Sequence, residues 1–248
     1  MKTLNSESCV FTGLLNKCFN KSIETVSLTV ISLILVFPII IILCLQWAGV
    51  TGLLGYNAYK IGFILPPLLY SRYHGISIRK DIIGWPFQRQ NLIHGFVWAL
   101  FFFTVFWSAF LLFGNWLIDK NFIVQQMNQQ FLVNSLTICI IAPITIFFNS
   151  MLEEFFYRGF CFGLLLRHHK KFAYVLPAFV FTLQHALFIH MWFNGFVLSL
   201  VLISLFVFAL ILERLYASTK SLAGPWIAHL MGDAAMMSIA WYLLNNTK

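Results

Sequence analysis

Charged residues are scarce in this chain, at 10% of its 248 residues, and only eight residues are acidic. A soluble globular domain carries about 25% charged residues. Hydrophobic residues instead make up 60% of the chain, and its mean hydropathy is +0.84. A water-soluble fold of this length cannot bury so much apolar surface, and a disordered chain needs the opposite composition. The scarcity of charge therefore predicts a polytopic membrane protein.

Cysteine is also sparse, with five residues and neither a CxxC nor a Cys/His zinc spacing. We therefore expect no structural disulfide, and we predict no cofactor. The net charge of +8 is compatible with nucleic-acid binding, but the basic residues lie in loops between apolar runs. That distribution is the one expected beside a membrane, so we predict the lipid bilayer as a partner and no nucleic acid.

The apolar runs predict an all-α membrane bundle of about seven (six to eight) transmembrane helices. The predicted spans are residues 26–48, 50–70, 92–118, 131–166, 172–189, 194–212 and 222–244. Lys60 and the pair Pro66-Pro67 interrupt the second span, which favours two half-helices or a re-entrant segment. Lys60 itself either snorkels to the interface or borders a cavity. Residues 1–25 are predicted to form a polar cytoplasmic tail before a single membrane domain, residues 26–248.

Basic residues fall in alternate loops, which sets the predicted orientation. They are Lys2, Lys17 and Lys21 before the first span; Arg72, Arg79, Lys80 and Arg89 after the second; Arg167, Lys170 and Lys171 after the fourth; and Arg214 and Lys220 after the sixth. By the positive-inside rule the amino terminus is expected in the cytoplasm and the carboxyl terminus outside.

Besides Lys60, six charged or histidine residues lie deep inside predicted spans, namely Glu153, Glu154, Arg158, His185, His229 and Asp233. A charge near the bilayer centre costs about 2.5–3.5 kcal/mol even on the lenient insertion scale, so function is the default hypothesis. A rise of about 1.5 Å per residue places Glu153, His185 and Asp233 roughly 20 Å from the basic ends of their helices, and His229 about 13 Å. The sequence therefore predicts one shared layer. The other five acids, Glu213 among them, are expected in the tail, in loops or at helix ends that water reaches.

Spacing within the helices suggests how these side chains are arranged. Three pairs have i, i+4 spacing and share a helix face, namely Glu154 with Arg158, Phe181 with His185, and His229 with Asp233. Glu153 points about 100° away from Glu154, so it is expected to face a cavity. A glutamate near a histidine can take a proton from water, and a second histidine can stabilise an oxyanion. These groups suit metal-free peptide hydrolysis, and they are also compatible with a metal site or a proton relay.

Three motifs resemble those of a known family. EEFFYRG (153–159) resembles the E-E-x-x-x-R motif, FTLQH (181–185) the F-x-x-x-H motif, and HLMGD (229–233) the H-x-x-x-N/D motif of the CAAX-processing and bacteriocin-processing (CPBP, or Abi) intramembrane proteases. Their order and their placement on three successive membrane helices also fit. The resemblance covers about residues 131–248, which would form a family-like protease core.

The resemblance implies a metal-independent endopeptidase of the glutamate type. By carry-over, Glu153 activates water with help from His185, and His229 with Asp233 stabilises the oxyanion. Glu154, Arg158 and Phe181 would support the site. Eukaryotic and archaeal members resembling this chain remove the last three residues of prenylated CAAX proteins, while many bacterial members process peptides or confer bacteriocin immunity. The implied substrate is thus a membrane-associated or lipidated protein or peptide.

One position departs from the family pattern, because prenyl-protease members typically have Asn where this chain has Asp233. Ionised Asp only accepts hydrogen bonds, so it is either protonated or holds His229 in its cationic, donating form; we favour the second. Two alternatives remain open. One is a zinc peptidase using Glu153, His185 and His229, although no HExxH is present. The other is a transporter, or an immunity or scaffold protein, whose buried acids relay protons.

Overall fold

The computed structural model describes residues 28–50, 52–84 and 89–247. Within these ranges the chain forms nine helices, a short π-helical turn at Ile78–Ile83 and no strand. The helices are α1 Leu28–Trp47, α2 Gly52–Ala58, α3 Ile61–His74, α4 Arg89–Leu117, α5 Lys120–Phe131, α6 Ile138–His168, α7 Lys170–Ile189, α8 Gly195–Thr219 and α9 Ala223–Asn246. The predicted tail, residues 1–25, lies outside the described residues.

Six helices in the described part are long and apolar enough to cross a membrane, namely α1, α4, α6, α7, α8 and α9. Their outer faces carry large apolar side chains, as on α4, where Leu100, Leu111 and Leu112 are about two-thirds exposed. Such faces suit a hydrocarbon solvent, in which helices satisfy their own backbone hydrogen bonds. The prediction of an all-α polytopic membrane protein is confirmed.

The second predicted span is broken into α2 and α3. The junction is a tight turn in which the backbone N–H of Lys60 donates to Asn57 and that of Gly62 donates to Tyr59, three residues back. The break was also expected at Pro66-Pro67, but there the prediction is wrong, because α3 continues through both prolines to His74. The two half-helices that the sequence favoured are therefore present, with their junction beside Lys60.

The broken segment runs from one end of the bundle to the other. Gly52 contacts the backbone of Gln130, where α5 ends, whereas the turn that follows α3 receives a hydrogen bond from Arg167 to the carbonyl of Asp81, 3.1 Å long. The end near Arg167 is called the basic end here. Its basic residues in the described ranges include Arg79, Lys80, Arg167, Lys170, Lys171 and Lys220. The far end, at Gly52 and Gln130, is called the opposite end.

Helix α6 is the central element of the bundle. Its residues from Phe156 to Leu165 are all buried, so neighbours surround it on every side. Gly159 lies against Ile82 and Gly163 against the Tyr216 hydroxyl, so close approach does occur at this glycine pair. Two stretches of α6, Ile144–Asn149 and Glu154–Phe162, are π-helical. Such irregular turns occur frequently at functional sites, and here they flank Glu153.

Candidate active site

Two adjacent carboxylates on α6 lie inside the bundle. Glu153 and Glu154 are each only 1% exposed. The Arg158 guanidinium donates to Glu154 Oε1 at 2.8 Å, so the expected i, i+4 pair forms. Arg158 is fully buried and its guanidinium lies 4.5 Å from the centroid of the Phe181 ring. A buried ion pair that also rests on an aromatic face fixes the position of Glu154.

His229, on α9, connects the two carboxylates. Its Nδ1 lies 2.7 Å from Glu154 Oε1. Its Nε2 lies 3.7 Å from Glu153 Oε2 and 3.7 Å from Asp233 Oδ1. An ionised carboxylate only accepts, so we assign a proton to Nδ1. The carboxylate that orients this imidazole is therefore Glu154 on α6, whereas Asp233, its i+4 neighbour, lies beyond hydrogen-bond distance.

Glu153 receives hydrogen bonds from neutral amides. Its Oε1 accepts from Asn149 Nδ2 at 3.0 Å and from Gln184 Nε2 at 3.2 Å. Its Oε2 has no hydrogen-bond partner among the described residues and faces His229 Nε2. One oxygen of Glu153 is thus held in place while the other makes no hydrogen bond among the described residues.

Several residues of this site were missed in the sequence. Gln184 links Glu153 to two tyrosines, because its Nε2 also donates to the Tyr59 hydroxyl at 3.2 Å and its Oε1 accepts from the Tyr157 hydroxyl. Asn149 had a readable signal, because its i, i+4 spacing to Glu153 puts it on the same face. Gln184 had one as well, as an amide inside an apolar helix. Tyr59 had none, since it belongs to a distant segment.

His185 and Phe181 lie together on α7. The His185 Nδ1–H donates to the backbone carbonyl of Phe181 at 2.8 Å, which leaves Nε2 as the free ring nitrogen. Phe181 lies 4.4 Å from the His185 ring and 5.9 Å from the His229 ring, centroid to centroid, and forms the expected aromatic wall. His185 interacts electrostatically with Glu153 and His229, so it belongs to the same region.

The expectation for Glu213 is wrong. Water was expected to reach it at a helix end, but its side chain is 0% exposed and neither oxygen has a hydrogen-bond partner within the described ranges. It interacts electrostatically with Arg158 and Glu154. The cause is the length of α8, which continues to Thr219, seven residues beyond the predicted end at Leu212.

The arrangement brings four predicted residues into direct proximity: Glu153, Glu154, His229 and Asp233. Among the described residues, no group of three or more His, Cys, Asp and Glu side chains has the arrangement of a metal site. The site contains a carboxylate oxygen without a hydrogen bond, an imidazole that Glu154 orients and a buried guanidinium. These groups can activate water and stabilise a negative charge.

Comparison with known protein families gives a match to part of the chain. Residues 128–235 match the family described as "Type II CAAX prenyl endopeptidase Rce1-like". No curated protein and no solved structure matches the chain. The matched range contains all three motifs, EEFFYRG, FTLQH and HLMGD. The resemblance found in the sequence is confirmed over residues 128–235, just under half of the chain, which are similar to a family of CAAX-type endopeptidases.

Proposed function

We propose that this protein hydrolyses a peptide bond within the membrane by using Glu153 to activate water. The observation that carries this proposal is Glu153 Oε2, which is buried, has no hydrogen-bond partner among the described residues and faces His229 Nε2 at 3.7 Å. Glu154 Oε2 also has no partner there, but Glu154 is held by Arg158. A water molecule that hydrogen-bonds to this oxygen would lie beside the imidazole. A carboxylate oxygen in this position can accept a proton from that water.

The reaction begins when Glu153 removes a proton from water and the resulting hydroxide attacks the scissile carbonyl carbon. The carbonyl oxygen becomes an oxyanion in the tetrahedral intermediate. When this intermediate collapses, the C–N bond breaks and Glu153 returns its proton to the leaving amine. His185, whose Nδ1–H is engaged by Phe181, offers the lone pair of Nε2 to the same water. The hydrogen bonds from Asn149 and Gln184 hold Glu153 in place during both proton transfers.

His229 stabilises the oxyanion in this mechanism. Glu154 accepts the Nδ1–H of His229 and favours the imidazolium form, in which Nε2 is also a donor. Arg158 in turn fixes Glu154. Asp233 Oδ1, 3.7 Å from Nε2, favours the cation by charge attraction rather than by a hydrogen bond. The three carboxylates around this imidazole therefore favour its cationic form.

The substrate we propose is a membrane-associated or lipidated protein or peptide, of the CAAX or bacteriocin-related type. The basic end carries most of the Lys and Arg residues in the described part, so by the positive-inside rule it faces the cytoplasm. The amino terminus is then cytoplasmic, the carboxyl terminus outside, and the site opens toward the cytoplasmic side. A cytoplasmic protein anchored by a lipid would present its carboxyl terminus from that side.

The test compares Glu153→Gln with Glu213→Gln, two identical substitutions at buried glutamates. Purified protein in lipid nanodiscs is incubated with a panel of farnesylated CAAX peptides and unlipidated membrane peptides, and products are identified by mass spectrometry. We expect wild type and Glu213→Gln to cleave and Glu153→Gln to lose about a thousandfold or more of kcat.

Equal cleavage by wild type and Glu153→Gln would show that the base is wrongly assigned. A zinc peptidase is tested in the same assay: activity that a strong chelator abolishes and that added zinc restores would replace the glutamate mechanism. Purified wild type that cleaves nothing while it transports a solute in a Glu153-dependent manner would favour a transporter.

A further inference from the structure

Lys60 is a cation beside the candidate active site that the mechanism above does not use. It lies at the junction of α2 and α3, directly after Tyr59, whose hydroxyl is bonded to Gln184. Its Nζ donates to Asn57 Oδ1 at 3.1 Å and lies 4.2 Å from the centroid of the Tyr56 ring. The side chain thus turns from Tyr59 back toward the opposite end of the bundle.

The ammonium group of Lys60 interacts with the acids of the site but pairs with none of them. Its charge interacts with Glu153 and Asp233. Nevertheless, within residues 28–50, 52–84 and 89–247 it forms no ion pair. Arg158, the other cation at this site, is already engaged by Glu154. A half-buried lysine inside a membrane bundle is costly, so an anionic ligand is the simplest reason for its position.

The geometry of a carboxyl-terminal substrate supplies such an anion. If three residues follow the scissile bond, the terminal carboxylate lies at most about 10 Å beyond it. A peptide that enters from the basic end and passes Glu153 directs its last residues toward the opposite end, where Lys60 Nζ lies. A free carboxylate at that depth needs a cation, because an unpaired charge is expensive in an apolar interior.

We propose that Lys60 binds the free carboxyl-terminal carboxylate of the substrate and so selects chain termini over internal segments. This inference rests on the proposed function, because it takes the substrate to be a peptide cleaved near its carboxyl terminus. The face of the Tyr56 ring and the Asn57 amide oxygen hold the ammonium in position before substrate arrives. Lys60 therefore determines specificity and takes no part in bond breaking.

The test measures binding separately from cleavage. Fluorescent CAAX-type peptides with either a free carboxylate or a carboxyl-terminal amide are titrated against the Glu153→Gln protein in nanodiscs, with and without Lys60→Met. Wild-type protein and Lys60→Met are then compared for cleavage of both peptides. The matched control is Lys120→Met, because Lys120 also donates to an asparagine, Asn115, and lies 5.5 Å from the centroid of a ring, Phe110, but unlike Lys60 it is not among the charges that act on Asp233.

We expect the free carboxylate to bind about tenfold to a hundredfold more tightly than the amide, as a charge-assisted hydrogen bond provides. Lys60→Met should remove this preference by weakening only the carboxylate peptide, Lys60→Arg should restore part of it, and Lys120→Met should change nothing. The inference is overturned if both peptides bind equally to the lysine-containing protein, if neither binds, or if Lys60→Met weakens both equally. Failure of the proposed function has a different signature, namely cleavage that does not depend on Glu153.

Discussion

The two faces of α6 treat adjacent carboxylates in opposite ways. On one face Glu154 contacts the guanidinium of Arg158 and the imidazole of His229, at 2.8 and 2.7 Å. On the other face Glu153 accepts hydrogen bonds only from the amides of Asn149 and Gln184, and its second oxygen lies 3.7 Å from His229 Nε2. Each carboxylate keeps one oxygen without a hydrogen bond among the described residues. Burial is the same for both, so the difference lies entirely in their neighbours.

This difference gives the two chemically identical carboxylates different roles. Hydrogen bonds from Arg158 and His229 both use Glu154 Oε1, so this carboxylate anchors two side chains. Neutral donors position Glu153 without neutralising it, which preserves its ability to accept a proton. Burial alone does not distinguish the two residues, whereas their hydrogen bonds indicate a structural role for Glu154 and a reactive one for Glu153.

The largest effect that sharpens this comparison is expected for Glu154→Gln. It removes the counter-charge of a fully buried Arg158, and breaking a buried ion pair from one side costs about 3 kcal/mol or more. We expect thermal unfolding in detergent to begin about 10 °C below wild type and peptide cleavage to be lost as well. Glu153→Gln should lose cleavage without lowering the unfolding temperature.

The order of these two unfolding temperatures is the decisive result. If Glu153→Gln is the less stable variant, the two faces have been assigned the wrong way round. A melting temperature that is the same for both variants would mean that Arg158 does not depend on Glu154 for its charge balance.

A smaller effect is expected for Asp233→Asn. Because Glu154 already accepts the Nδ1–H of His229, Asp233 contributes only attraction across 3.7 Å. An asparagine loses that attraction but can donate a hydrogen bond to the oxyanion itself. We therefore expect appreciable activity to remain, with kcat reduced about tenfold at most.

Complete loss of cleavage in a folded Asp233→Asn protein would contradict this role for the carboxylate. Asp233→Leu is the control, since it removes both the charge and the donor and should lower kcat further than Asp233→Asn does.

The motif residues could be predicted because ionisable side chains inside apolar helices are energetically unfavourable, and few roles other than function explain them. Spacing correctly paired Glu154 with Arg158, and helical rise correctly put residues from α6 and α9 in one layer. Spacing failed for His229, whose closest carboxylate comes from another helix rather than from Asp233. Intrahelical periodicity describes which residues share a face, but it contains no information on how two helices are rotated against each other.

Residues from the second segment could not be predicted for a different reason. Tyr59 reaches Gln184, and Lys60 turns toward Tyr56, only because the helix breaks between Ala58 and Ile61. The prolines, a stronger signal in the sequence, did not break it. Where a helix breaks inside a membrane depends on the neighbours that can satisfy its backbone, and a single sequence does not specify them.

Glu213 also shows what helical periodicity can predict, and its substitution is expected to have the smallest effect on stability and cleavage. Ala209, Leu212, Glu213 and Tyr216 form an i, i+3, i+4, i+7 stripe, so periodicity extended past Leu212 would have placed Glu213 inside. Like Glu154 it interacts with Arg158, but it makes no hydrogen bond among the described residues. Glu213→Gln therefore breaks no ion pair and leaves an oxygen that the backbone of Ala178 can still reach, and we expect stability within about 1 kcal/mol of wild type and unchanged cleavage. A fall in unfolding temperature as large as that of Glu154→Gln would instead make Glu213 the second counter-charge of Arg158, whose Nε and Nη2 have no hydrogen-bond partner within the same ranges. The buried guanidinium would then be shared between α6 and α8, and the stabilising face would extend well beyond Glu154.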